Sequence, residues 1–136
     1  MSGEAVKVVV RCRPMNTREK DLKCEVIVNI DNTKGTCGLT CLEEPNSMPK
    51  NFTFDGAYGM DSNTESIYND LGFPLVESVC EGYNGTVFAY GQTGCGKSFS
   101  MQGTPSQKGI IPRAFEVKKF DFNLIVITKR KNNFRY

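Results

Sequence analysis

Eight residues, Gly91-Gln92-Thr93-Gly94-Cys95-Gly96-Lys97-Ser98, constrain this chain more than any others. They read G-x-x-x-x-G-K-S, the spacing of a phosphate-binding loop. Glycines at 91, 94 and 96 let the backbone turn tightly and approach an anion with no Cβ in the way. Successive N–H groups can then converge as an anion nest. Lys97 has the reach and charge to meet β- and γ-phosphate oxygens, and the hydroxyl of Ser98 can ligate Mg²⁺. A nucleotide is expected to bind here. Nothing in the loop alone implies that the nucleotide is hydrolysed.

The flanks supply the expected context. Thr86-Val87-Phe88-Ala89-Tyr90 is apolar and β-prone, so it reads as a strand entering the loop. Ser98-Phe99-Ser100-Met101 can open a helix whose N-terminal dipole favours an anion. Strand, glycine loop and helix in that order predict a ligand at the C-terminal end of a strand.

The 136 residues suffice for one domain. Apolar residues make up 39% and charged residues 24%, compatible with a globular chain. Charge is unevenly spread: residues 117–136 hold 6 of the 17 basic side chains and 1 of the 15 acidic ones. That asymmetry marks a compositional seam near position 116. The first residues lack a basic n-region, and no stretch is long and apolar enough to span a bilayer, so neither secretion nor a membrane partner is expected. Six cysteines, at 12, 24, 37, 41, 80 and 95, form no C-x-x-C pair, and the chain has no histidine. Free thiols in a reducing cytoplasm are the expectation, rather than a metal site.

Val6 to Arg13 is a β-branched run stopped by Pro14, as a strand covered on both faces would be. Residues 16–23 are polar and read as an exposed connection or a short helix. Glu25 to Asn29 and Gly38 to Leu42 predict short strands joined by a turn at Asn32 to Gly35, a small β insert. Asn51 to Gly56 alternates polar and aromatic residues and predicts a further strand. Ser62 and Glu65 form a possible capping box for a helix over 63–83, with Ile67, Leu71, Leu75, Val79 and Tyr83 on one face. Gly72 and Pro74 should bend or divide it. The whole predicts α/β architecture.

Several stretches together resemble one family. Val8-Val9-Val10-Arg11-Cys12-Arg13-Pro14, Phe52-Thr53-Phe54-Asp55, Glu81-Gly82-Tyr83-Asn84-Gly85-Thr86, Phe88-Ala89-Tyr90-Gly91-Gln92-Thr93-Gly94, Gly96-Lys97-Ser98-Phe99 and Gly109-Ile110-Ile111-Pro112-Arg113 look like successive landmarks of kinesin motor domains. The wording is nearest to the ciliary, intraflagellar class. The resemblance implies a P-loop NTPase motor fold, present as an N-terminal fragment over residues 1–116, with an incomplete central sheet and a small β insert. It implies ATP and Mg²⁺ as ligands, microtubules as the family's partner, and a cytoplasmic, cytoskeletal and ciliary setting; neither nucleic acid nor membrane is implied as a partner.

Residue by residue, the resemblance implies that Gly91 to Lys97 bind phosphates and that Ser98 holds Mg²⁺. Arg11, Pro14 and Phe99 would line the adenine, with Pro14 and Phe99 against its faces. Read without the resemblance, Arg11 and Arg13 are also compatible with ordinary surface charge at a strand end. Cys95 stands where the family usually carries a small hydroxyl residue or alanine. A thiol amid backbone N–H groups is expected to be alkylated first of the six, and to be protected by ATP.

The family's N-x-x-S-S-R and D-x-x-G segments do not occur in these residues. No catalytic residue is therefore assigned, and neither hydrolysis nor movement by this stretch alone is expected. Residues 117–136 read as an unrelated basic and apolar tail, with a β-prone run at 120–127 before Lys129-Arg130-Lys131. A truncated isoform with such an extension is one expectation. In that reading the chain is non-enzymatic, poorly folded or active only through partners.

Overall fold

A computed structural model describes residues 6–44 and 47–118. The tail run at 120–127 and the basic residues after it lie outside the described residues.

Two small sheets form the N-terminal half. Strand β1, Val9–Arg11, pairs in parallel with β5, Gly56–Tyr58, with Val9 opposite Gly56 and Arg11 opposite Tyr58. The second sheet is antiparallel: β2 (Val28–Asp31), β3 (Thr36–Leu39) and β4 (Lys50–Thr53) in the order β2-β3-β4. The expected insert is therefore present, but its strands are displaced from those the sequence suggested. Asp31 explains the displacement. Its Oδ1 accepts from the Thr33 and Lys34 N–H groups and from the Thr33 hydroxyl. The turn thus starts from Asp31, and Gly35 leaves it with a φ of +64°. Three hydrogen bonds to the Asp31 carboxylate, Thr33 hydroxyl foremost, also hold its pKa below the usual range.

The expected strand over 51–56 is divided between the two sheets. Residues up to Thr53 continue the insert, and the chain then crosses to pair with β1. Asp55 makes the crossing: its N–H donates to Val8 O at 2.9 Å, while its carboxylate accepts from Val8 N–H at 2.6 Å.

Helix α1, Thr17–Asp21, settles the 16–23 stretch as a short helix. The predicted long helix is divided as expected. Helix α2, Thr64–Ile67, passes through a π-helical turn, Tyr68–Gly72, into α3, Phe73–Cys80. Pro74 lacks the donor that a continuous α-helix would need, and the wider turn absorbs the interruption. The cap is Asn63, whose side chain accepts from Ser66 N–H, rather than Ser62. Helix α4, Lys97–Met101, follows the glycine loop, and α5, Ile110–Lys118, packs against the π turn.

Among the described residues the buried hydrophobic side chains are Cys37, Ala57, Ile67 and Tyr68. Their positions put the core between β3, β5 and the α2–π segment. Leu75 and Val79 of α3 lie against Gly85, where a Cβ would come within 2.9 Å of both. Tyr83, expected on the same face, is 64% exposed.

The strand expected at 86–90 does not form. Those residues carry no regular secondary structure, and Phe88 and Tyr90 are 78% and 94% exposed. The physical reason is pairing: β1 takes β5 as its neighbour, and among the described residues no strand lies alongside 86–90. A β-prone sequence without a ladder stays irregular. No helix among the described residues is long and apolar enough to cross a membrane.

Candidate functional site

The glycine loop takes the shape its sequence demands. Gly91, Gly94 and Gly96 have φ of +147°, +79° and +98°, all in the region that an L side chain rarely enters. Space adds to the demand at Gly91, where a Cβ would meet the Cys95 sulfur at 2.5 Å. At Gly94 and Gly96 nothing lies within 4 Å, so those two glycines are required by backbone conformation alone.

Lys97 folds back over the loop. Its Nζ donates to Gly91 O at 2.7 Å and Gln92 O at 2.8 Å, with the Cys95 sulfur at 3.9 Å. Gln92 O also accepts from Cys95 N–H at 3.3 Å. The ammonium is therefore held on one side of the loop by neutral carbonyls, which an anionic phosphate can displace because it adds the attraction of a full opposite charge to the hydrogen bond. Ser98 is exposed in the first turn of α4, and Gln92, Thr93 and Gly94 are exposed on the loop. At five residues α4 is too short to add much macrodipole, so any anion affinity here would fall more to the loop N–H groups than the sequence suggested.

Arg11 and Phe99 do come together. The guanidinium carbon lies 5.1 Å from the ring centroid, within cation–π range. Its donors are engaged: Nη1 bonds the hydroxyls of Thr64 and Ser100, both at 3.0 Å, and Nη2 bonds Ser62 O at 2.9 Å. Arg11 thus ties β1 to the start of α2 and to α4, and burial lowers its pKa from the ordinary arginine value. Arg11 lies over the Phe99 ring, and Phe99 as a residue is 37% exposed. Pro14 is exposed.

Arg13 has a role that the sequence reading did not give it. Nη1 and Nη2 bond the two Glu19 carboxylate oxygens at 2.8 and 2.5 Å, and Nε donates to Gly94 O at 3.1 Å. Glu19 is itself the third residue of α1, and its Oε2 accepts from Asn16 N–H while the Asn16 side chain caps Glu19 N–H. This reciprocal capping box was legible as Asn16-x-x-Glu19. Hydrogen bonding to Arg13, with the Asn16 N–H second, lowers the Glu19 pKa to about 2. The same bond raises that of Arg13.

Between α1 and the loop runs a groove of about 390 Å³, bounded by Arg13, Glu19, Leu22, Gln92 and Gly94. A larger hollow of about 590 Å³ lies elsewhere, beside Tyr58, Asp61 and Asp70, and touches no residue of the loop. The smaller one adjoins the glycine loop, since Gln92, Thr93 and Gly94 line it. The six cysteines are free; Cys24, Cys41 and Cys80 are exposed, Cys12 and Cys95 half-buried, and Cys37 buried. Exposure alone therefore does not put Cys95 first for alkylation.

Comparison with known proteins agrees with the loop. The family model described as kinesin motor domain matches residues 11–131, past the compositional seam at 116. The chain is 46% identical over 122 residues to kinesin-like protein KIF3C of Bos taurus. It is 45% identical over 119 residues to the proteins of the same name from Pongo abelii and Mus musculus. In each case the alignment covers 85% of this chain and 15% of the relative. The chain belongs to the kinesin motor domain family, and its fold is the P-loop NTPase fold of that family. It spans about 15% of the length of these curated relatives.

Proposed function

We propose that these residues are the ATP-binding portion of a microtubule-based motor ATPase, and that by themselves they bind nucleotide without turning it over or moving. The observation that carries this reading is the loop: three glycines at positive φ around the Lys97 ammonium. The loop N–H groups and Lys97 would hold the phosphates. Ser98 would hold Mg²⁺, which supplies neutralisation of phosphate charge. Phe99, Pro14 and the Arg11 stem would hold the adenine by apolar contact. Microtubule association and a cytoskeletal setting belong to the same proposal and rest on family membership, while a ciliary setting rests on the likeness of the landmarks to the ciliary class alone.

A second reading, a non-enzymatic truncated isoform that is poorly folded or acts only through partners, is favoured by the exposed aromatic residues of 86–90. Titration of a fluorescent ATP analogue with Mg²⁺ against wild type and Lys97→Ala, with a thermal melt of each, separates the two. The first reading expects saturable binding, weakened roughly 30-fold or more in Lys97→Ala, and a cooperative melt in both. Absence of binding and of a melt would favour the second. Phosphate release stimulated by microtubules would overturn the claim that this stretch does not hydrolyse ATP.

A further inference from the structure

We propose that Arg13 is a positioning residue for the phosphate loop, with Glu19 of α1 as its anchor. This rests on the reading of the loop as a phosphate site. It assigns the work of shaping that site to a residue outside the motif.

The geometry points to one peptide plane. Gly94 O and Cys95 N–H belong to the same planar peptide and point in opposite directions. Gly94 O is fixed by Arg13 Nε at 3.1 Å, so the Cys95 N–H is turned the other way, toward Gln92 O at 3.3 Å. Gln92 O also takes the Lys97 ammonium, so this is the side on which phosphate oxygens would meet donors. Gly94 has a φ of +79° and no atom within 4 Å of a would-be Cβ. Released, that peptide could flip and turn a carbonyl toward the phosphates, replacing a donor with an acceptor.

Arg13 suits this role because its fork is immobilised first. Two bonds to Glu19, and Nη1 to Pro14 O at 2.9 Å, fix the guanidinium plane before Nε reaches the loop. The Glu19 carboxylate is held in turn by Asn16 N–H at 2.8 Å. A lysine at position 13 keeps the charge but has no planar fork, and cannot hold Glu19 with two parallel bonds while presenting an N–H to Gly94. Cationic charge near the loop would be kept by Arg13→Lys; position would not.

Hydrogen exchange on the nucleotide-free chain tests this directly. Wild type, Arg13→Lys, Glu19→Gln and Arg18→Ala are compared in peptides covering 91–97 and, as a fold control, in β2 and β3. Exchange over 91–97 is expected to quicken about fivefold in Arg13→Lys, less in Glu19→Gln, and not in Arg18→Ala, with β2 and β3 unchanged. Exchange within twofold of wild type in Arg13→Lys, with β2 and β3 intact, would overturn the proposal. If Arg13→Lys loses protection everywhere, Glu19→Gln decides: a loosened loop supports the proposal, an unaltered one overturns it. Calorimetry with Mg·tripolyphosphate and with adenosine is the second readout. Arg13→Lys should weaken tripolyphosphate about fivefold and leave adenosine unchanged, whereas equal loss for both would mean a general structural role and overturn the positioning claim. Failure of wild type to bind tripolyphosphate sinks the nucleotide reading. The exchange data alone then judge the positioning role.

Discussion

Residues 91–98 and the five residues that lead into them, 86–90, are continuous in the chain but are held by different means. The loop keeps its form through groups within a few positions of one another: positive-φ glycines, Lys97 on the carbonyls of Gly91 and Gln92, and Cys95 N–H on Gln92 O. Among the described residues the only distant hydrogen bond to its backbone is that of Arg13 to Gly94. The 86–90 run has the apolar, β-prone composition of a strand, yet Phe88 and Tyr90 stand in solvent. A turn needs the right residues. A strand needs a neighbour.

The largest test of this contrast is stability. Ile67 is buried at 4% exposure, so Ile67→Ala should cost about 2–5 kcal/mol in denaturant unfolding. Phe88→Ser should stay within about 0.5 kcal/mol, since a 78% exposed side chain loses little. A loss of about 2 kcal/mol for Phe88→Ser would show that 86–90 is packed after all.

Next comes the loop's backbone requirement. Gly94→Val and Gly82→Val both place a β-branched residue at positive φ with open space around it, φ being +79° and +103°. Each should lower stability by about 1–3 kcal/mol. Only Gly94→Val should also weaken fluorescent-ATP binding, about tenfold; equal affinity for the two variants would break the link between loop conformation and binding.

Thiol labelling gives a smaller effect. Saturating Mg·ATP should slow alkylation of Cys95 severalfold and leave Cys24 and Cys80 unaffected, because only Cys95 adjoins Lys97 and the loop. Peptide mass spectrometry checks this, and uniform rates with and without ATP would count against the site.

The smallest effect is the pH dependence of the Arg13–Glu19 pair. The Glu19 pKa is lowered in the folded chain to about 2 from 4.5, so its contribution is fully present above pH 4.5 and fades as pH falls toward 2. The Tm advantage of wild type over Glu19→Gln should therefore be flat from pH 5 to 8 and vanish near pH 2. It will be small, because both side chains are about one-third exposed. An advantage that disappeared by pH 6 would place the titrating group elsewhere.

Much of the site was legible because its causes are local. Gly91, Gly94, Gly96 and Lys97 could be read at fixed spacing, and the backbone obeys them. The division of the 63–83 helix was legible from Gly72 and Pro74, though its cap was placed one residue early. Asn16-x-x-Glu19 was equally readable as a capping box and went unread, because residues 16–23 looked merely polar. Arg13 was not legible in that way. Its partners are six positions away at Glu19 and 81 away at Gly94, and the second exists only because the fold brings β1's end to the loop.

The sequence by itself determined the phosphate loop and the kinesin family, since backbone freedom at glycine and the order of short landmarks are properties of the chain. Only the tertiary structure decided that β1 pairs with β5, that the β-prone run 86–90 has no ladder among the described residues, and that Arg13 reaches Gly94. The physical reason is range. A φ preference acts within one residue, whereas a strand's hydrogen bonds and a guanidinium's fork must be met by groups that sequence distance does not reveal.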